Sequence, residues 1–121
     1  MKRESKLLAN ALLAHHRLVT QAKPPPPPGK KVVESHYTIP YGRLCTVAGV
    51  PHVLPVVSQF LLEVAEWSAA SGYPALNALA VNAGTGIPGD GYDGAGGFTI
   101  VHWPDELARC VRCTTYPQSV A

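Results

Sequence analysis

Tyr41-Gly42-Arg43-Leu44-Cys45-Thr46-Val47-Ala48-Gly49-Val50-Pro51 reads as a short helix that stops at a glycine and is thrown into a turn by a proline. Val50-Pro51-His52 makes the turn, and Pro55 suits the first turn of a second helix. There Val57, Phe60, Leu61, Val64 and Trp67, or its neighbour Ser68, repeat at spacings of three and four until Gly72, with Ser58, Gln59, Glu63 and Glu66 on the wet face. Two helices joined by a tight turn predict a helix-turn-helix, with Trp67 closing the second helix against a sheet. Residues 75–101 predict a wing. Ala75 to Asn82 reads as a buried strand, Ala83 to Gly97 holds seven glycines in fifteen residues, and Phe98 to Val101 reads as a return strand. Trp103-Pro104-Asp105-Glu106 then opens a last helix running to about Thr115, its proline and acids suited to a helix amino terminus.

Upstream, Val32 to Ile39 is rich in β-branched and aromatic residues and ends at Pro40, which predicts an edge strand. Leu7, Leu8, Ala11, Leu12, His15, Leu18 and Val19 recur at helical spacing, so residues 4–20 read as an amphipathic helix in need of a partner surface. His15 and His16 straddle the edge of its stripe, one half-buried and one wet. The five prolines Pro24 to Pro28 favour extended polyproline backbone, a stiff spacer before Gly29; a ligand for proline-reading domains is the less favoured use. The organisation expected is a basic amphipathic arm over 1–23, a proline-rich spacer over 24–31 and a domain over 32–121. The fold class is a small α/β winged helix-turn-helix-like domain with an amino-terminal helix on that spacer.

Charge is segregated along the chain. Residues 1–31 carry seven bases against Glu4, a balance of +6, whereas residues 32–121 carry three bases against seven acids, a balance of −4. Because Lys and Arg supply most non-specific affinity for phosphate, nucleic-acid contact would lean on the arm. Val50 to Leu62, the longest uncharged apolar stretch, contains two prolines and is too short for a membrane span. No secretory leader pattern is visible, and the three cysteines do not pair off, so a cytoplasmic chain with reduced thiols is expected.

Tyr41-Gly42-x-Leu44-Cys45-x-x-Ala48-Gly49-x-Pro51, with Val57 and Leu61 after it and Val81-Asn82 further on, resembles the DNA-binding domain of the O6-alkylguanine-DNA alkyltransferases and alkyltransferase-like proteins over roughly residues 39–92. The resemblance implies a winged helix that binds the minor groove and flips a damaged base into a pocket. Tyr41 falls on the tyrosine that presses on the target phosphate. The intercalating arginine of that family falls at or beside Pro55, and its Pro-Cys-His-Arg run falls on Leu76-Asn77-Ala78-Leu79. Thiolate, base and following arginine are therefore absent, which excludes alkyl transfer.

Other candidate chemistry is thin. Cys110-x-x-Cys113 has the spacing of a redox pair or half a zinc site, and Cys45 with His36, His52 or His102 could complete four ligands, but the pair reads better as small hydrophobes on one helix face. The glycine run lacks the Gly-Lys-Ser/Thr ending of a phosphate loop, and Asp90 with Asp93 are too few for a calcium loop. A Ser58, His52 or His102, aspartate triad lacks a nucleophile elbow. No enzymatic activity, metal or cofactor is expected. A non-catalytic module is, touching double-stranded DNA through Tyr41, Arg43, Ser58 and Gln59, with Lys2, Arg3, Lys6, Lys30 and Lys31 supplying affinity. The alternative is a protein-interaction module, an inhibitor or accessory factor that reuses the fold.

Overall fold

In the computed structural model of this chain, which describes residues 1–53, 56–93 and 95–121, the amino-terminal stripe is the centre of the core rather than an arm. Helix α1 (Arg3–Ala22) buries Leu8, Ala9, Leu12 and Leu13 against α2 (Tyr41–Ala48) and α3 (Val56–Ala70). The same core takes in α4 (Trp103–Arg112) and the fully buried turn Leu76–Leu79. Residues 1–23 and 32–121 thus form one packing unit, because the three leucines and the alanine on one face of α1 have no other surface to cover them.

Helix α1 is locked at both ends. The Ser5 hydroxyl, fully buried, donates to the Glu63 carboxylate at 2.6 Å, and the Lys2 backbone N–H donates to the same oxygen at 3.2 Å. These bonds, the Ser5 bond first, hold the Glu63 carboxyl below its ordinary range. Further along, His15 Nε2 pairs with the Tyr37 carbonyl at 2.7 Å and His16 Nε2 with the Cys110 carbonyl at 2.8 Å. Neither histidine is wet: His16 is buried and His15 half-buried.

Helix α2 begins directly after Pro40 and ends at Gly49, whose φ of 74° lets its N–H reach the Cys45 and Thr46 carbonyls. Helix α3 runs to Ala70 and buries Val57, Leu61, Val64, Ala65 and Ser68; its expected start at Pro55 lies outside the described residues. Trp67 does not close the helix against a sheet. It is half-buried with its ring 5.5 Å from that of Tyr73, and the fully packed indole is Trp103, 2 % exposed, whose Nε1–H donates to the Ala78 carbonyl at 2.9 Å.

Two of the three expected strands shrink to two residues each, and the third, Phe98 to Val101, does not form. Strand β1 (Ile39–Pro40) pairs in parallel with β2 (Ala80–Val81), Ile39 opposite Ala80. Residues Glu34–His36 instead form a single 3₁₀ turn, since the N–H groups of Tyr37 and Thr38 are taken by the Glu34 carbonyl. Leu76–Leu79 is also 3₁₀, held by Ala75 N–H to the buried Glu106 carboxylate at 2.8 Å and Leu76 N–H to the Ser68 hydroxyl at 3.2 Å. Among the described residues no antiparallel wing forms over 82–101. Short turns Asp90–Tyr92, Ala95–Gly97 and Ile100–His102 replace it, and the glycine run lies against α3. Gly94, and the side chains of Asp90 and Ala95, lie outside the described residues. The architecture is a small mixed α/β domain: four helices and a two-stranded parallel sheet among the described residues.

The prolines do not act as a spacer between separate bodies. Segment 24–31 is a strap fixed to the domain by Arg112, whose Nε donates to the Pro26 carbonyl at 3.0 Å and whose Nη2 donates to those of Pro27 at 3.3 Å and Lys30 at 2.8 Å. Polyproline backbone makes no internal hydrogen bonds, so the Pro26 carbonyl is open to a guanidinium fork, and the Pro27 carbonyl is shared between Arg112 and the Lys30 N–H of the turn that follows, at 3.1 Å.

Candidate binding surface

The α2–turn–α3 segment displays Arg43, Thr46, Val47, His52, Val53, Val56 and Gln59 to solvent. Two of the four expected contact residues are therefore outward, Arg43 and Gln59. The other two, Tyr41 and Ser58, are brought together but turned inward beneath the glycine run. The Tyr41 hydroxyl accepts the Gly89 N–H at 2.7 Å, and burial pushes its phenol above the ordinary range against that hydrogen bond. Gly91 sits directly on Ser58: a Cβ added there would lie 2.8 Å from the Ser58 Cβ, so only glycine allows the backbone this close.

Under this roof Tyr41, Ser58, Leu61, Asn77, Gly91 and Tyr92 enclose a cavity of about 10 Å³. Asn77 and Tyr92 are 4 % and 5 % exposed, and the Asn77 Oδ1 and the Tyr92 hydroxyl have no protein partner there. A space of that volume suits one water between two polar groups and is far below the ~300 Å³ or more of a small-molecule site. Burial drives the Tyr92 phenol upward, so it remains a neutral donor. The sequence marked Asn77 as standing where the resemblance needs a thiolate, but nothing in it showed Tyr92 reaching the same pocket, because that contact depends on how the glycine run folds back over α3.

The basic residues expected to act together are split. Lys2, Arg3 and Lys6 lie at the start of α1, whereas Lys30 and Lys31 lie on the strap beyond its other end. At 1.5 Å rise per residue, the 20 residues of α1 put about 30 Å between these groups. The first group is also balanced by Glu4 in the same turn and Glu63 beside it. Helix α3 shows Gln59 and Glu66 to solvent, with Glu63 half-buried between them, and carries no base.

The thiols offer little. Cys45 and Cys110 are buried, and burial lifts both, Cys110 to about 12, which holds them as unreactive thiols. Cys113 is half-buried with its sulfur 3.5 Å from the Thr115 hydroxyl, and among the described residues no group of three or more metal-ligating side chains converges. No helix among the described residues is long and apolar enough to cross a membrane. In comparisons with known proteins, no family model, no curated protein and no solved structure matches the chain.

Proposed function

We propose that this chain is a non-catalytic, winged-helix-like module that associates with double-stranded DNA, with loop 82–97 standing in the wing's place. The observation that supports it is the α2–turn–α3 pair seated on α1, with Tyr41 and Gly42 opening α2. Asn77 and Ala78 occupy the positions of the missing thiolate and base, so incubation with labelled O6-methylguanine DNA should leave the protein unlabelled. Titration of a fluorescent duplex by anisotropy over a salt series tests the association. A steep fall of log K with log salt is expected; no binding at low salt would refute it.

A second reading rests on the exposed valines Val47, Val53 and Val56, at 60 %, 53 % and 41 %, beside the acidic face of α3. Exposed apolar side chains on elements whose single base is Arg43 suit a protein partner better than phosphate. Absence of DNA binding in the salt series, with these valines covered in any protein complex found, would favour this use of the fold.

A further inference from the structure

We infer that nucleic-acid phosphates are bound at the strap end of the molecule, by Lys23, Lys30 and Lys31 together with Arg17 and Arg112, and not by the exposed face of α3. The inference rests on the DNA association proposed above and assigns it a place. The last turns of α1 and α4 point to the same end of the molecule: His16 of α1 reaches the Cys110 carbonyl of α4, and Arg112 in the last turn of α4 holds the strap that leaves α1. Helix α4 is itself polarised, with Asp105 and Glu106 in its first turn and Arg109 and Arg112 in its last.

A groove of about 500 Å³ runs between the last turns of these two helices, the strap and the carboxy-terminal tail, and Arg17 and Arg112 line it without any Asp or Glu. A shallower cleft on the other side of the strap is lined by Lys23 and Lys31, again without a carboxylate. Pro26, whose carbonyl accepts from Arg112, lines that second cleft, so the strap is the ridge dividing two cationic depressions. The strap's lysines are exposed and Arg17 is exposed with one Nη donating to the Gln118 carbonyl at 2.9 Å, leaving the rest of its fork free.

The charge balance favours a polyanion. Between Glu4 and Glu63 the sequence has a single acid, Glu34. Setting Glu34 and two helix carboxyl ends of about −0.5 each against five cations leaves roughly +3 at this end. The α3 face has the opposite sign. Phosphate backbone is the ligand whose regularly spaced charges match cations distributed on both sides of a ridge.

The test uses the full chain, because removing residues 1–31 would strip α1 from the core. Lys23→Ala/Lys30→Ala/Lys31→Ala alters only exposed side chains, and unchanged circular dichroism checks its fold. Anisotropy with a duplex of roughly 20 base pairs and with a thymidine oligonucleotide of similar length, between about 50 and 200 mM salt, reads the phosphate contacts. With four to five contacts the parent should lose about 100- to 500-fold in affinity over this range, and the triple variant should show a slope shallower by about 3. Arg43→Ala/Gln59→Ala should bind like the parent. Comparable binding of duplex and single strand would assign the contact to backbone alone, and preference for duplex to its phosphate spacing; both support the site. Loss on Arg43→Ala/Gln59→Ala with retention by the lysine variant would overturn the placement while leaving DNA association standing. Absence of binding by the parent chain would overturn both.

Discussion

Replacing Trp103 with phenylalanine should destabilise the domain by about 2 to 4 kcal/mol. Trp103 is 2 % exposed and its Nε1–H is the donor to the Ala78 carbonyl, on a residue that is itself fully buried. Phenylalanine keeps one ring in place but removes the donor, and a buried acceptor left without a partner costs about 1 to 3 kcal/mol. The phenyl overlaps the five-membered ring next to Cβ, and loss of the distal part of the indole leaves ~40 Å³ of void, worth ~1 kcal/mol at ~24 cal/mol per Å³. Together these remove a large share of the ~5 to 15 kcal/mol available to a small domain. Trp67→Phe is the matched control, because its half-buried ring contact with Tyr73 survives the change; it should cost under about 1 kcal/mol. Urea melts of both variants at constant m read the difference as a shift in midpoint. A Trp103→Phe midpoint within error of the parent, or a larger loss for Trp67→Phe, would show that the indole bond and the packing around it do not anchor α4.

Burial is the leading cause that holds His15 and His16 below the ordinary value of 6.5, opposed in part by their bonds to the Tyr37 and Cys110 carbonyls. The unfolded chain therefore binds protons more readily than the folded one, so this part of the stability is complete above about pH 6.5 and is lost as the pH falls below it toward the lowered values. Urea midpoints should drop as the pH falls from about 6.5 to 5.5, and His16→Gln should flatten that drop; an unflattened profile would place the titration elsewhere. Gly91→Ala should cost about 1 to 3 kcal/mol by driving a methyl into Ser58. Gly89→Ala, whose added Cβ would meet the Tyr41 ring at an ordinary 3.8 Å, should be tolerated far better, and equal melts for the two would refute the close seating of the roof.

Helices were legible in the sequence wherever a stripe and a stop coincided. Tyr41–Ala48 ends at Gly49 as its sequence implies, and α1 and α4 extend close to their expected limits. Strands were not, for a physical reason visible at Leu76–Leu79: a segment buried on every side has no polar face, so alternation carries no information and a 3₁₀ turn reads like a strand. The glycine run was legible as backbone freedom only. Where it settles is decided by Gly89 on Tyr41 and Gly91 on Ser58, contacts between residues 33 or more apart that no local pattern encodes. For the same reason the sequence offered Tyr41 and Ser58 as surface contacts, and it grouped the basic residues by their order along the chain although α1 separates them in space.

The strap held by Arg112 makes α1 a subunit in all but covalent terms. The helix contributes Leu8, Ala9, Leu12 and Leu13 to the common core, yet it is joined to the remainder by a surface crossing of prolines. A chain nicked between Pro24 and Gly29 would stay assembled as a two-piece particle, with a melting point that depends on concentration as it does for any heterodimer. A peptide spanning residues 1–23 would then compete for the vacant seat of its own counterpart, which makes the domain a natural split reporter.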